Sequence, residues 1–278
     1  MAKYVLRSVS LLYLLFLLAI PVGLIGWRTF GDGIGTFFAA LTSDYAVHAI
    51  QVTVVTAFYA VVANTIFGVG AAILLVRHNF PGKRLFNALI DLPLAVSPVV
   101  VGLALILVYG RFAPVGGWLE RLGIQVIFSI PGMVLATVFV SLPLVVRAVA
   151  PVLEEMGEEQ ELAAYTLGAS RLQTFLRITV PGIRAALAYG IVLCLARSLG
   201  EYGAVAVVSG RLVGRTQTLT LFVEERFQNF DQSAAFAAST LLALIAIVTL
   251  LLTRLLLAKA GTTSFAVTAP ARAPKETD

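Results

Sequence analysis

The chain has 278 residues, 59% hydrophobic and 13% charged. Water-soluble domains run at roughly 45–50% apolar and 25% charged, so this composition excludes an ordinary soluble fold. The formal charge of +5 comes from Lys and Arg in small groups at the ends of apolar runs, which excludes a nucleic-acid-binding stripe and points to membrane orientation.

Six runs are long enough to cross about 30 Å of hydrocarbon at about 1.5 Å per residue. They cover residues 9–27, 49–76, 86–109, 124–146, 185–208 and 233–253. The first is too long for a signal-peptide core and has no small-residue cleavage site before Arg28, so it reads as a span. His48 and His78 flank the second and stand too far apart to hold one metal from that segment. Pro93 and Pro98 in the third span and Pro143 in the fourth remove backbone donors and bend or break their helices. Such breaks serve either as plain kinks or as parts of a water-lined pathway.

The fifth span holds the lone Cys194, which can form no intrachain disulfide and reads as a small packing residue. It also carries Arg197 and Glu201, whose spacing puts them on one helix face as an ion pair. Two readings stay open for that pair. It either fixes helix packing, or lines the passage with Arg197 offered to an oxyanion while Gly200 and Gly203 let helices approach. Ser97, Pro98 and Ser209 complete the candidate pathway, although serines in such helices also bond their own backbone. Beyond the fifth span, Leu219, Phe222, Val223, Phe227 and Phe230 predict an amphipathic helix that faces either the core or an external partner. Residues 261–278 are rich in Thr, Ala and Pro and are expected to form a disordered tail.

Outside the spans, thirteen Lys and Arg residues fall on the side of Lys3, Lys83, Arg171 and Lys259. Six fall on the other side: Arg28, Arg111, Arg121, Arg211, Arg215 and Arg226. Positive charge is retained inside during insertion, so both termini are expected in the cytoplasm.

The longest polar stretch is the cytoplasmic loop 152–183. Its acids, Glu154 to Glu161, lead and its bases, Arg171 and Arg177, trail, as a helix dipole favours. Leu162, Ala163, Thr166 and Leu167 share one stripe at helical spacing. Gly168 suits a left-handed position after a helix end, and Ser170 with Gln173 forms a capping box that starts a second helix. Leu172, Phe175, Leu176 and Thr179 share one face of that longer helix before Pro181, and the loop is expected to give way to the fifth span after residue 183. The product is either a solvated loop helix or a rigid docking knob for a soluble partner.

The spacing of this loop resembles the EAA motif of bacterial binding-protein-dependent ABC importers, in which Glu-Ala-Ala precedes Gly and then Ile-x-Leu-Pro. Ala163-Ala164, Gly168 and Ile178-Thr179-Val180-Pro181 stand at the family's intervals. Leu162 occupies the place of the acid, with Glu161 one residue earlier, and Val180 replaces Leu. The resemblance implies an all-α integral membrane protein of the type I ABC importer permease fold, six transmembrane helices with a cytoplasmic coupling helix. In that family the short helix, here carrying Glu161, Leu162, Ala163, Ala164 and Gly168 with Ile178 and Pro181 downstream, enters a cleft of the ATPase subunit.

A wider set of segments is similar to the sulfate/thiosulfate permeases, nearer the W-type than the T-type member of that heterodimer. They include Asn79-Phe80-Pro81-Gly82, Ser97-Pro98-Val99-Val100-Val101-Gly102, Phe128-Ser129-Ile130-Pro131-Gly132-Met133-Val134, and Ala196-Arg197-Ser198-Leu199-Gly200-Glu201-Tyr202-Gly203 with Val208-Ser209-Gly210. This likeness implies a bacterial inner-membrane permease that moves sulfate or thiosulfate, with molybdate or tungstate as the alternative. It also implies a T-type partner permease, two ATPase subunits that bind ATP and Mg, a periplasmic sulfate-binding protein, contact with membrane lipid and none with nucleic acid.

No G-x-x-x-x-G-K-[ST] loop occurs in the chain, so it is not expected to cradle nucleotide phosphates itself. An ion-coupled secondary transporter would need midplane proton-relay residues, and the one candidate, Glu201, has Arg197 beside it. A membrane enzyme would need a nucleophile, paired carboxylates or a Cys/His cluster; none is found, so no catalytic or metal residues are expected.

Overall fold

The computed structural model describes residues 2–31 and 33–264. Helix α1 (Ala2–Leu14) continues through a π-helical segment (Leu15–Ala19) into α2 (Ile20–Gly31), followed by α3 (Ile34–Leu41) and the long α4 (Asp44–Arg77). Ser43 starts α4 by accepting the Ala46 N–H, as a serine N-cap does. Next come α5 (Lys83–Ala95), α6 (Pro98–Tyr109), α7 (Pro114–Arg121) and α8 (Ile130–Met156). Beyond them lie α9 (Glu159–Thr166), α10 (Arg171–Thr174), a second π segment (Phe175–Thr179) and α11 (Val180–Leu199). The chain closes with α12 (Gly203–Val208), α13 (Leu219–Gln228) and α14 (Gln232–Ser264).

Four stretches, Asp44–Arg77, Ile130–Met156, Arg171–Leu199 and Gln232–Leu255, are each long and apolar enough to cross a membrane alone. The core is built where three of them meet. A Cβ added to Gly68 of α4 would lie 2.8 Å from Val145 Cβ of α8, and one on Gly190 of α11 would lie 3.0 Å from Ala148 Cβ. Small residues therefore let the three backbones approach, which replaces the hydrophobic drive that lipid cannot supply. Asn64 of α4, fully buried, ties the same helices together by donating to Ser141 Oγ at 2.8 Å and Cys194 Sγ at 3.4 Å.

These contacts, with those of Arg77 at the end of α8, make α4 and α8 parallel. The chain between them must therefore return to the opposite end. It does so in two pieces: α5 lies along α8, where Arg147 Nε donates to Asp91 Oδ1 and its Nη2 to Asn87 Oδ1, both at 2.8 Å. At the other end, α6 puts Val101 into a cluster with Val52, Val126, Met133 and Ala136.

The expected continuous span 86–109 is thus corrected to two helices bent by 115°. The break falls at Val96–Ser97, because the residue before Pro98 is driven out of helical geometry. Pro93, by contrast, sits inside α5.

Three further expectations are revised. The fourth span begins at Ile130 rather than 124, because Ser129 and Pro131 mark the helix start and the buried Val126 and Ile127 fill the core as loop residues. The second helix of the cytoplasmic loop is not separate from the fifth span. It runs on into the fifth span, since the π segment has already moved the Val180 N–H to the Phe175 carbonyl and so absorbs the missing proline donor. The fifth span itself ends at Leu199, with α12 as a separate piece.

On the far side, Leu219 and Phe222 of α13 are buried, whereas Phe227 and Phe230 are exposed. Helix α14 extends to Ser264, and the remainder of the expected tail, 265–278, lies outside the described residues.

Gly102 decides how α6 and α12 fit. A Cβ there would meet Val207 Cβ at 2.8 Å and the Ala204 carbonyl oxygen at 2.9 Å, and a carbonyl oxygen cannot rotate aside. Gly102→Leu is expected to cost about 3 kcal/mol by overpacking, read as a lowered unfolding midpoint of the purified protein in detergent.

Candidate functional site

The short helix α9 is shaped by its two ends. Gly168 adopts φ +83° just past it, where a left-handed residue closes the turn, and the Gly168 and Ala169 N–H groups donate to Tyr165 and Ala164 carbonyls at 3.0 Å each. The capping box forms in full: Ser170 N–H donates to Gln173 Oε1 at 2.8 Å, and Gln173 N–H to Ser170 Oγ at 3.3 Å. A rigid helix–turn–helix results. Leu162, Tyr165, Leu167, Leu172 and Leu176 all lie exposed on it, Leu167 at 88%. Ala163 and Pro181 are exposed as well, while Ala164 and Ile178 are half-buried. Five large apolar side chains exposed together on this helix–turn–helix form the kind of patch that marks a protein contact.

Glu161 takes no part in that surface. Its side chain is 12% exposed and pairs with Arg77 Nε at 3.2 Å, while its Oε1 accepts the Thr179 hydroxyl at 2.6 Å. Arg77 in turn donates to the carbonyls of Leu153 at 3.1 Å and Gly157 at 2.6 Å. A guanidinium placed on the free carbonyls of a helix C-terminus satisfies them and complements the dipole. Arg77 and Thr179 are absent from the set expected from sequence. Arg77 read there as an orientation charge, and its only other signal was its position at the end of a long apolar run.

The candidate pathway residues fall into two groups. Glu201 is corrected to a position beyond the end of α11, yet the pair with Arg197 forms, at 2.5 Å. Glu201 Oε1 also accepts the Ala204 N–H at 2.9 Å, so one buried carboxylate neutralises the arginine and caps α12. Beside it stands the other helix break: a Cβ on Gly203 would lie 3.0 Å from Pro98 Cβ. Pro98, the exposed Ser97, Glu201 and Gly203 are therefore neighbours, with Arg197 one turn away on α11 and partly accessible. Ser209 does not join them. It is fully buried, its hydroxyl accepts the Arg211 N–H at 3.1 Å, and its carbonyl receives the Thr216 hydroxyl, a turn-forming role.

Among the described residues no group of three His, Cys, Asp or Glu is placed to hold a metal ion. The arrangement offers two helix breaks side by side within an apolar bundle, and an apolar knob outside it, which is the outline of a transport subunit.

The sequence profile of the family described as the binding-protein-dependent transport system inner membrane component matches residues 64–261, and the chain belongs to that family. It is accordingly a multi-pass inner-membrane subunit of a transport system. The sulfate transport system permease protein CysW of Synechocystis sp. is 48% identical over 259 residues, covering 93% of this chain and 94% of that one. The sulfate transport system permease protein CysT of Escherichia coli is 39% identical over 235 residues, covering 84% and 85%. A crystal structure of a bacterial alginate ABC transporter contains a chain that matches this fold with a TM-score of 0.75 at 16% identity, over 91% of this chain and 92% of that one. At that identity the likeness concerns the fold alone.

Proposed function

We propose that the chain is the W-type permease subunit of an ATP-driven importer for sulfate and thiosulfate. In this reading it pairs with a T-type permease, receives the anion from a periplasmic binding protein, and is driven by two ATPase subunits that bind ATP and Mg. The Arg77 end faces the cytoplasm, in keeping with the bias of Lys and Arg toward that side.

The observation that carries the coupling half of this reading is the exposed apolar knob Leu162–Leu176 on a doubly capped turn at the EAA intervals. Closure of the ATPase dimer would pull α9 inward and turn the passage from cytoplasm-facing to periplasm-facing. The substrate half rests on the 48% and 39% identities to sulfate permeases along almost the whole chain. Arg197, next to the paired helix breaks, supplies a partly exposed guanidinium suited to a tetrahedral dianion.

The complex is tested by reconstituting permease pair, ATPase and binding protein in proteoliposomes and measuring radiolabelled sulfate entry against competitors. Excess thiosulfate is expected to suppress entry and excess molybdate to leave it unchanged. Suppression by molybdate instead would move the assignment to that anion.

A further inference from the structure

Helix α9 is an outlying element, with no fully buried residue, yet an ATPase-driven movement has to reach the spans through it. Its strongest attachment is one buried polar joint. The Arg77 and Glu161 side chains are only 10% and 12% exposed and ion-paired at 3.2 Å. Each then engages a different long helix: Arg77 projects from the end of α4 and holds the Leu153 and Gly157 carbonyls that terminate α8. Glu161 accepts from Thr179, the last residue of the π segment that leads into α11. Thr179 itself is 6% exposed. Four elements, α4, α8, α9 and the π segment, thereby converge on two side chains.

We infer that Arg77, Glu161 and Thr179 are positioning residues for transport, a joint that clamps the coupling helix to three spans so that its displacement moves all of them together. The inference rests on the reading of the chain as an ABC permease subunit and adds the residues through which coupling passes.

Apolar contacts let a surface helix slide or rock at little cost. A desolvated carboxylate held by a guanidinium and a hydroxyl does not, because any displacement leaves buried charge unpaired. Isolated buried pairs add little net stability, and their documented use is to fix one arrangement among several. The π segment adds a point of bending, since π turns concentrate where helices flex or serve a function. Coupling energy between two sites needs a discrete physical element that both sites bias, and this joint is such an element.

The test uses the whole importer, with Glu161→Gln, Thr179→Val and Arg77→Lys introduced separately, reconstituted with the binding protein. Two rates are measured on the same vesicles, sulfate entry and ATP hydrolysis, together with ATPase subunit retention and the thermal midpoint. Coupling free energies of about 1–3 kcal/mol correspond to about 5–150-fold, so Glu161→Gln is expected to lower sulfate moved per ATP at least about fivefold while ATPase subunits remain bound.

Thr179→Val, which leaves the ion pair in place, is expected to lower the ratio less. Arg77→Lys keeps the charge but cannot serve two carbonyls and Glu161 in the same fork geometry, and is expected to fall between them. An unchanged ratio in Glu161→Gln and Thr179→Val overturns the inference, even where the thermal midpoint drops. So does loss of the ATPase subunits in Glu161→Gln with a normal ratio in Thr179→Val. Failure of the unsubstituted importer to move sulfate on ATP would overturn the permease reading itself.

Discussion

Placing aspartate at both Leu162 and Leu167 is expected to release the ATPase subunits and abolish ATP-driven uptake. Both side chains stand clear of the protein, at 55% and 88% exposure, so the variant should fold with an unchanged thermal midpoint. The cost appears only on docking, when two carboxylates would have to enter an apolar cleft without partners. Residues at the centre of an interface commonly cost about 2 kcal/mol or more when removed. With about tenfold per 1.4 kcal/mol, ATPase affinity should fall at least about 30-fold. Co-purification of the ATPase with the permease pair, quantified against the wild type, reads this directly. Retention at the wild-type level would mean that the exposed leucines meet lipid or another partner.

Arg197→Ala should lower the stability of the protein, read as the thermal midpoint in detergent. Glu201, with a side chain 2% exposed, would lose its cationic partner. Stranding one half of a fully buried pair costs about 3–5 kcal/mol. Because Arg197 is itself 37% exposed, solvent screening reduces the expected figure to about 2 kcal/mol.

The double variant Arg197→Ala/Glu201→Gln separates packing from transport. A neutral amide oxygen can still accept the Ala204 N–H, so at least half of the lost stability should return. Sulfate uptake should not return if the guanidinium serves the anion. Recovery of uptake together with stability would reduce Arg197 to a packing residue.

The difference between what the sequence disclosed and what folding added is physical. Capping and patterning are local, so Gly168, the Ser170–Gln173 box and the apolar stripe of α9 were legible, and hydropathy marked out the apolar runs. Hydropathy is blind to geometry, however. Val126 and Ile127 are as apolar as helix residues but pack as loop, which shifted the start of α8 to Ile130.

Proline signals were equally ambiguous: Pro93 is carried inside a helix, Pro98 starts one, and Pro181 is absorbed by a π segment. Glu201 kept its predicted partner although the helix expected to carry both ends two residues earlier, because the side chain reaches back across the turn. The contacts of Arg77 with Glu161 and of Asn64 with Ser141 and Cys194 join residues remote in sequence. No periodicity encodes such pairs.

The source of energy is the point on which the account stands or falls. Proteoliposomes containing the permease pair, ATPase and loaded binding protein are given either internal-face ATP and Mg or an imposed proton gradient, and sulfate accumulation is followed. Accumulation above equilibrium with ATP, and none with the gradient alone, is the predicted result. Accumulation driven by the gradient without ATP would contradict the account and make the chain an ion-coupled carrier.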